Sequence, residues 1–149
     1  MKGFVVKAAA QAIDKVARAI GSKEHAPQHI LTGLAGEDMA YFHLRELGYI
    51  IIARNWRTAN CKGELDLVGW DGDVLCFVEV KTRTTRAVKP AEAAVDEHKR
   101  RELALVARRF LWRLKREKSP PYRFDIISIY VEKDCPPAIT LFKNAFPVP

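Results

Sequence analysis

Apolar positions along the chain recur with two periods, one helical and one of strands. In FVVKAAAQAIDKVARAI (4–20), Val5, Ala9, Ala12, Val16 and Ile20 form one stripe, with Lys7, Gln11, Asp14 and Arg18 opposite, the pattern of an amphipathic helix. GSKEHAPQHILTG follows, polar and punctuated by Pro and Gly, and reads as a linker. Residues 1–33 are therefore expected to be an N-terminal amphipathic helix and linker, with the main domain over 34–149. A second helix is predicted from about Leu34 to Leu47, stopping at Gly48. Three strand-like runs come next, YIIIARNW (49–56), ELDLVGW (64–70) and VLCFVEVKTR (74–83). A long helix is predicted over about 91–117, opened by Pro90 and ended before Pro120-Pro121. RFDIISIYV (123–131) and the short AITLF (138–142) supply the last strands. After the N-terminal helix the order is α-β-β-β-α-β-β, an α/β arrangement around a mixed sheet flanked by helices.

Two strands carry acids inside apolar runs, which is costly without compensation. Side chains alternate along a strand, so Glu64, Asp66 and Val68 share one face, and Leu75, Phe77, Glu79 and Lys81 share another. The turn decides whether those faces coincide. A two-residue hairpin at Asp71-Gly72 pairs Trp70 with Asp73 and Asp66 with Phe77. Asp66 and Glu79 are then diagonal neighbours on one side of the sheet, able to reach one cation. A three-residue loop without a bulge sends them to opposite faces. Glu37 lies in the buried stripe of its helix with Ala40, Tyr41 and Leu44, where a carboxylate needs a proton or a partner. All four groups, Glu37, Asp66, Glu79 and Lys81, are expected on one side of the sheet. The plainer alternative is an edge-strand ion pair between Glu79 and Lys81, with Asp66 solvated. Clustered carboxylates favour Mg²⁺ or Mn²⁺ over zinc.

Charge adds a second feature. The net charge is +7, which suits a polyanion. It is concentrated between Lys99 and Lys118, where nine basic residues face two acids, Glu102 and Glu117, around a stripe of Leu103, Val106, Phe110 and Leu114. A solvated charged face is the ordinary alternative. Arg83 and Arg86 lie in the TRTTRAVKP loop and, with Lys99, Arg100 and Arg108, are candidate contacts to a nucleic-acid backbone, which give affinity without sequence readout. The 149 residues suffice for one domain with a real core. No run of about 18 apolar residues occurs and the N-terminus lacks a secretory pattern, so no membrane span and a cytoplasmic location are expected. Cys61, Cys76 and Cys135 are odd in number and widely spaced, against a disulfide framework or a zinc cluster.

Asp66, Glu79-Val80-Lys81 matches the D…(D/E)-x-K signature of the PD-(D/E)XK nuclease superfamily. Around it, GEDMAYFHLRELGY (36–49), ARNWR (53–57), GELDLVGWDGDVLCFVEVKTR (63–83) and RFDII (123–127) closely resemble the YraN family of small bacterial proteins. The fold of that family looks like archaeal Holliday junction resolvases, so the resemblance implies a restriction-endonuclease-like sheet. It also implies Asp66 and Glu79 as metal ligands, with the Val80 carbonyl completing the set, Lys81 as the catalytic lysine and Glu37 as the acid of the first helix. Lys99 matches a lysine near the start of the second core helix. The expected function is a Mg- or Mn-dependent endonuclease hydrolysing phosphodiester bonds in DNA, with branched and single-stranded forms as candidate substrates. A resolvase-like role requires a homodimer presenting two sites. The alternatives are a non-catalytic nucleic-acid-binding module and a protein-interaction subunit that keeps the nuclease fold. In the last, the helix at 4–20 is the docking element. That helix otherwise packs on the domain or on a twin subunit, or lies on a membrane surface.

Overall fold

Five strands form a mixed sheet in sequence order, covered by one helix on each face. The structure is a computed structural model and describes residues 28–84, 95–115, 117–132 and 134–148. The helix expected at 4–20, Arg86 and Pro90 lie outside the described residues. The elements are α1 (Gln28–Glu46), β1 (Ile50–Trp56), β2 (Leu65–Asp71), β3 (Val74–Arg83), α2 (Glu97–Arg113), β4 (Tyr122–Tyr130) and β5 (Ala138–Phe146). Neighbouring strands run antiparallel except β3 and β4, which are parallel and joined through α2. The α-β-β-β-α-β-β order is the one the sequence predicts.

The alternation of β3 sorts the core into two layers. Leu75 and Phe77 pack with Phe124 and Ile126 of β4 against Leu103, Val106 and Phe110 of α2. Cys76 and Val78 pack with Leu67, Ile127 and Ile129 against Ala40 and Leu44 of α1. Helix α1 sits unusually close to the sheet at Gly36. A Cβ there would fall 1.8 Å from Thr82 Oγ1 of β3, so only glycine permits the approach. At the opposite end of the sheet a polar network is tied off on the α1 side. Arg123 donates to Asp125 (2.9 Å), to the Tyr49 hydroxyl (2.9 Å) and to Asp71 (2.6 Å). Lys143 also donates to Asp71, at 2.7 Å, and the Asn144 amide donates to the fully buried Asp125.

Several boundaries differ from the sequence reading, each for a local reason. Helix α1 begins at Gln28, inside the expected linker, because Gly33 reads as a breaker but lies within the helix. Helix α2 is shorter than 91–117. Asp96 caps it, accepting from the Lys99 amide at 2.8 Å, and Lys115 ends it by taking a φ of 46°, uncommon for a side-chain-bearing residue. Strand β5 continues past Leu141-Phe142 to Phe146, which stacks on Phe124 at 4.9 Å. The β2–β3 turn lies one residue later than expected. Asp71 pairs with Val74, and Gly72-Asp73 form the loop, with only Gly72 at positive φ (60°), as a type II′ hairpin requires.

Candidate functional site

That turn sets the register of the two acidic strands. Val68, not Asp66, lies opposite Phe77, and Leu67 lies opposite Val78. The register is two residues from the expected one, so face parity is preserved. Continuing it one step places Asp66 opposite Glu79, directly facing instead of diagonal. Both acids are on the α2 side and both are buried, Asp66 8% and Glu79 4% exposed. The solvated Asp66 of the plainer alternative is not what the fold produces.

The pair is held by few groups. Asp66 Oδ2 accepts from the Val80 amide at 2.8 Å. Glu79 Oε1 takes Lys81 Nζ at 2.7 Å, from the same face of β3, and Lys99 Nζ at 3.5 Å, from the first turn of α2. Burial pushes the Asp66 carboxyl up to about 7, and the adjacent Glu79 charge adds to the rise. Among the described residues Glu79 Oε2 is the one buried side-chain oxygen or nitrogen with no hydrogen-bond partner. A carboxylate oxygen sealed away without a donor is an expensive arrangement that a cation would relieve.

Glu37 stands apart from this pair. Its helix packs through Ala40 and Leu44 on the other face of the sheet, and its carboxylate stays within electrostatic reach of Asp66 and Glu79. The Glu37 carboxylate is half-buried and accepts from Asn55 Nδ2 of β1 at 2.7 Å. Its carboxyl is raised by burial first and then by Glu64, with Glu79 a smaller contributor. It is thus an electrostatic neighbour of the site without joining the pair. Glu64, on the rim, is paired with Arg57 at 2.6 Å. Asn55 was not singled out by the sequence. Its only signal is a place inside ARNWR, since its φ of 48° is a property of the fold.

The basic candidates divide. Lys99 faces the carboxylates, and Arg100 turns inward, donating to the Val95 carbonyl at 3.0 Å with its guanidinium 5.3 Å from the Phe146 ring. Arg83 ends β3 and is half-buried, while Arg108 is exposed on α2. Among the described residues no three acid, histidine or cysteine side chains stand together as a ready-made cage. Two carboxylates and a backbone carbonyl nevertheless fit Mg²⁺ or Mn²⁺, which keep several waters and take hard oxygen donors. They do not fit zinc, and the three cysteines are free and scattered.

The class defined here is a small α/β protein whose mixed sheet carries a buried carboxylate pair gripped by two lysines. The chain belongs to the uncharacterised protein family UPF0102, the YraN family, whose model matches residues 36–129. It is 52% identical over 120 residues to a UPF0102 protein of Koribacter versatilis, covering 80% of this chain and 82% of the relative. A UPF0102 protein of Symbiobacterium thermophilum is 45% identical over 114 residues, 76% of this chain and 94% of the relative. One from Solibacter usitatus is 43% identical over 114 residues, 76% of this chain and 84% of the relative. Among the described residues no helix is long and apolar enough to cross a membrane.

Proposed function

We propose that the protein is a Mg²⁺- or Mn²⁺-dependent nuclease that hydrolyses phosphodiester bonds in DNA. One observation carries the reading. Asp66 and Glu79 are buried face to face, with Glu79 Oε2 lacking any partner and two lysines on its other oxygen. The resemblance of the Asp66, Glu79-Val80-Lys81 motif to PD-(D/E)XK nucleases and the basic outer face of α2 support it. Asp66, Glu79 and the Val80 carbonyl would hold the ion. When bound, it supplies charge neutralisation at the phosphate and a water of lowered pKa.

The side chains divide the remaining work. Lys81 has three N–H donors and gives one to Glu79, leaving two for the charge that develops on the phosphoryl oxygens. Lys99 is a positioning residue, fixing the Glu79 carboxylate from the helix side. The Val80 amide orients Asp66, leaving Oδ1 for a ligand. Glu37, held by Asn55, adds negative charge at the rim and is the candidate for ordering a second ion or its water.

The test is a cleavage panel of single-stranded, duplex, flap and four-way-junction DNA with Mn²⁺ and with Mg²⁺, run beside Asp66→Ala. Cleavage of at least one form that Asp66→Ala abolishes supports the reading. No cleavage of any form, or cleavage that survives Asp66→Ala, removes it.

A further inference from the structure

Helix α2 has an outer stripe that the carboxylate site does not use. Arg101, Leu105, Arg108 and Trp112 follow one another at spacings of three and four residues, with Arg109 next to them, and all five are exposed. Leu105 is 56% and Trp112 78% exposed, whereas Trp56 and Trp70 are half-buried. A concavity beside Trp112 is lined by Arg113, Lys115 and Glu117, and a second, further up the helix, includes Lys62, His98, Arg101 and Arg109. The stripe from Arg101 to Trp112 is about 16 Å long at the helical rise. It lies on the side of α2 turned away from Lys99, which faces Glu79 from the first turn.

We propose that this stripe binds an unpaired nucleic-acid strand, with Trp112 stacking a base and the arginines holding the phosphates. The proposal rests on the nucleic-acid reading above and narrows its substrate class to DNA with single-stranded character. An exposed indole gives a flat face to a base, and a base is available for stacking only when it is not in a duplex. The flanking Arg108, Arg109, Arg113 and Lys115 supply the charge that a sugar-phosphate backbone needs. A second copy of the chain is a poorer occupant. It would bring an equally basic helix against this one, setting Arg108 and Arg109 against like charge. Leu105 and Trp112, separated by arginines, form no continuous apolar patch for a protein partner.

The test uses the full chain in chelator, so that binding is read without cleavage. Fluorescein-labelled oligo(dT) and a duplex of equal length are titrated by anisotropy, with tryptophan fluorescence followed in parallel. Trp112→Ala is expected to weaken oligo(dT) binding about tenfold and to leave duplex affinity within about twofold. Trp112→Phe should retain most of the affinity but lose the fluorescence quenching that oligo(dT) causes in the wild type. Arg108→Ala with Arg109→Ala should lower both affinities and flatten their salt dependence. An unchanged affinity in Trp112→Ala, or an equal loss on both DNAs, overturns the proposal. So does a solution mass above that of the monomer that falls on Trp112→Ala, which assigns the face to a second copy. An acrylamide-shielded Trp112 in the free protein also overturns it, placing a segment of the same chain there. Trp112-dependent binding by a protein that cleaves nothing upholds this surface while removing the nuclease reading. Cleavage by a protein whose binding ignores Trp112 does the reverse.

Discussion

Lys99 reaches Glu79 from a different element, the first turn of α2. Its Nζ lies 3.5 Å from the same Oε1 that Lys81 holds at 2.7 Å. The two lysines therefore meet one oxygen and leave the other, Oε2, bare. Their roles differ because Lys81 approaches along the strand that carries the motif, whereas Lys99 ties that strand to α2. The difference is measurable.

On the proposed nuclease reading, Lys81→Ala removes the cation that would face the phosphoryl group and leaves both carboxylates and Lys99 in place. Cleavage is expected to fall about 10²-fold or more, the usual scale for losing an electrostatic stabiliser. DNA affinity, measured by anisotropy in chelator, should stay within about threefold, because the outer arginines of α2 provide most of it. Wild-type cleavage rates in Lys81→Ala assign the activity to another site.

Asp66→Asn tests the cost of holding two carboxylates together in a buried place. The amide keeps an acceptor for the Val80 amide and removes the repulsion with Glu79. In chelator the variant should melt a few degrees above the wild type, on the order of 1 kcal/mol in stability, while losing activity. Added Mg²⁺ should raise the wild type toward it. A variant that melts lower would show that Asp66 is a structural acid.

Gly36→Ala should destabilise the fold by about 1–3 kcal/mol, read as a drop in urea midpoint. The added methyl meets Thr82 Oγ1 at 1.8 Å, Cβ at 3.0 Å and Cγ2 at 3.2 Å, so rotating a branched side chain does not clear it. Thr82→Ala in the same chain should restore part of the loss, a coupling that a double-mutant cycle detects. Additive effects would mean that the helix yields instead.

Asp71 offers a pH test far from the carboxylate pair. Hydrogen bonds from Arg123 and then Lys143 hold its carboxyl down at about 2. A lowered folded pKa stabilises the protein fully above the unfolded value of about 4, and the contribution fades as pH falls toward 2. Asp71→Asn should thus be less stable than the wild type at pH 7. The gap should narrow between pH 4 and pH 2 in parallel urea titrations. A gap independent of pH would assign the loss to packing.

The order of elements and the two faces of the sheet were legible because β2 and β3 are largely apolar runs in which Asp66 and Glu79 stand out. The site was legible through parity. The turn was placed one residue early, yet a displacement of two in register left Asp66 and Glu79 on one face. The side of the sheet that α1 covers was not legible, because helical periodicity tells only which residues of α1 face the sheet. The capping of α2 by Asp96 and its end at Lys115 were hidden. Neither depends on apolar spacing, and a lysine at positive φ has no sequence signature. The Asn55–Glu37, Arg123–Asp71 and Tyr49–Asp125 contacts join residues 18 to 76 apart, beyond the reach of any local pattern.

The parallel β3–β4 pair has a consequence for how the centre comes into being. Asp66 and Glu79 are brought together by a two-residue hairpin, whose closure is fast and local. Lys99 rides on the crossover, and α2 can settle only when β4 zips along β3 from Leu75–Tyr122 to Arg83–Tyr130, pairing residues 47 positions apart. The acids are thus neighbours early in folding, while their helical cover and second lysine arrive with the slowest, longest-range contacts. A nascent chain released before β4 is made carries the carboxylate pair exposed to water and to any ion in it.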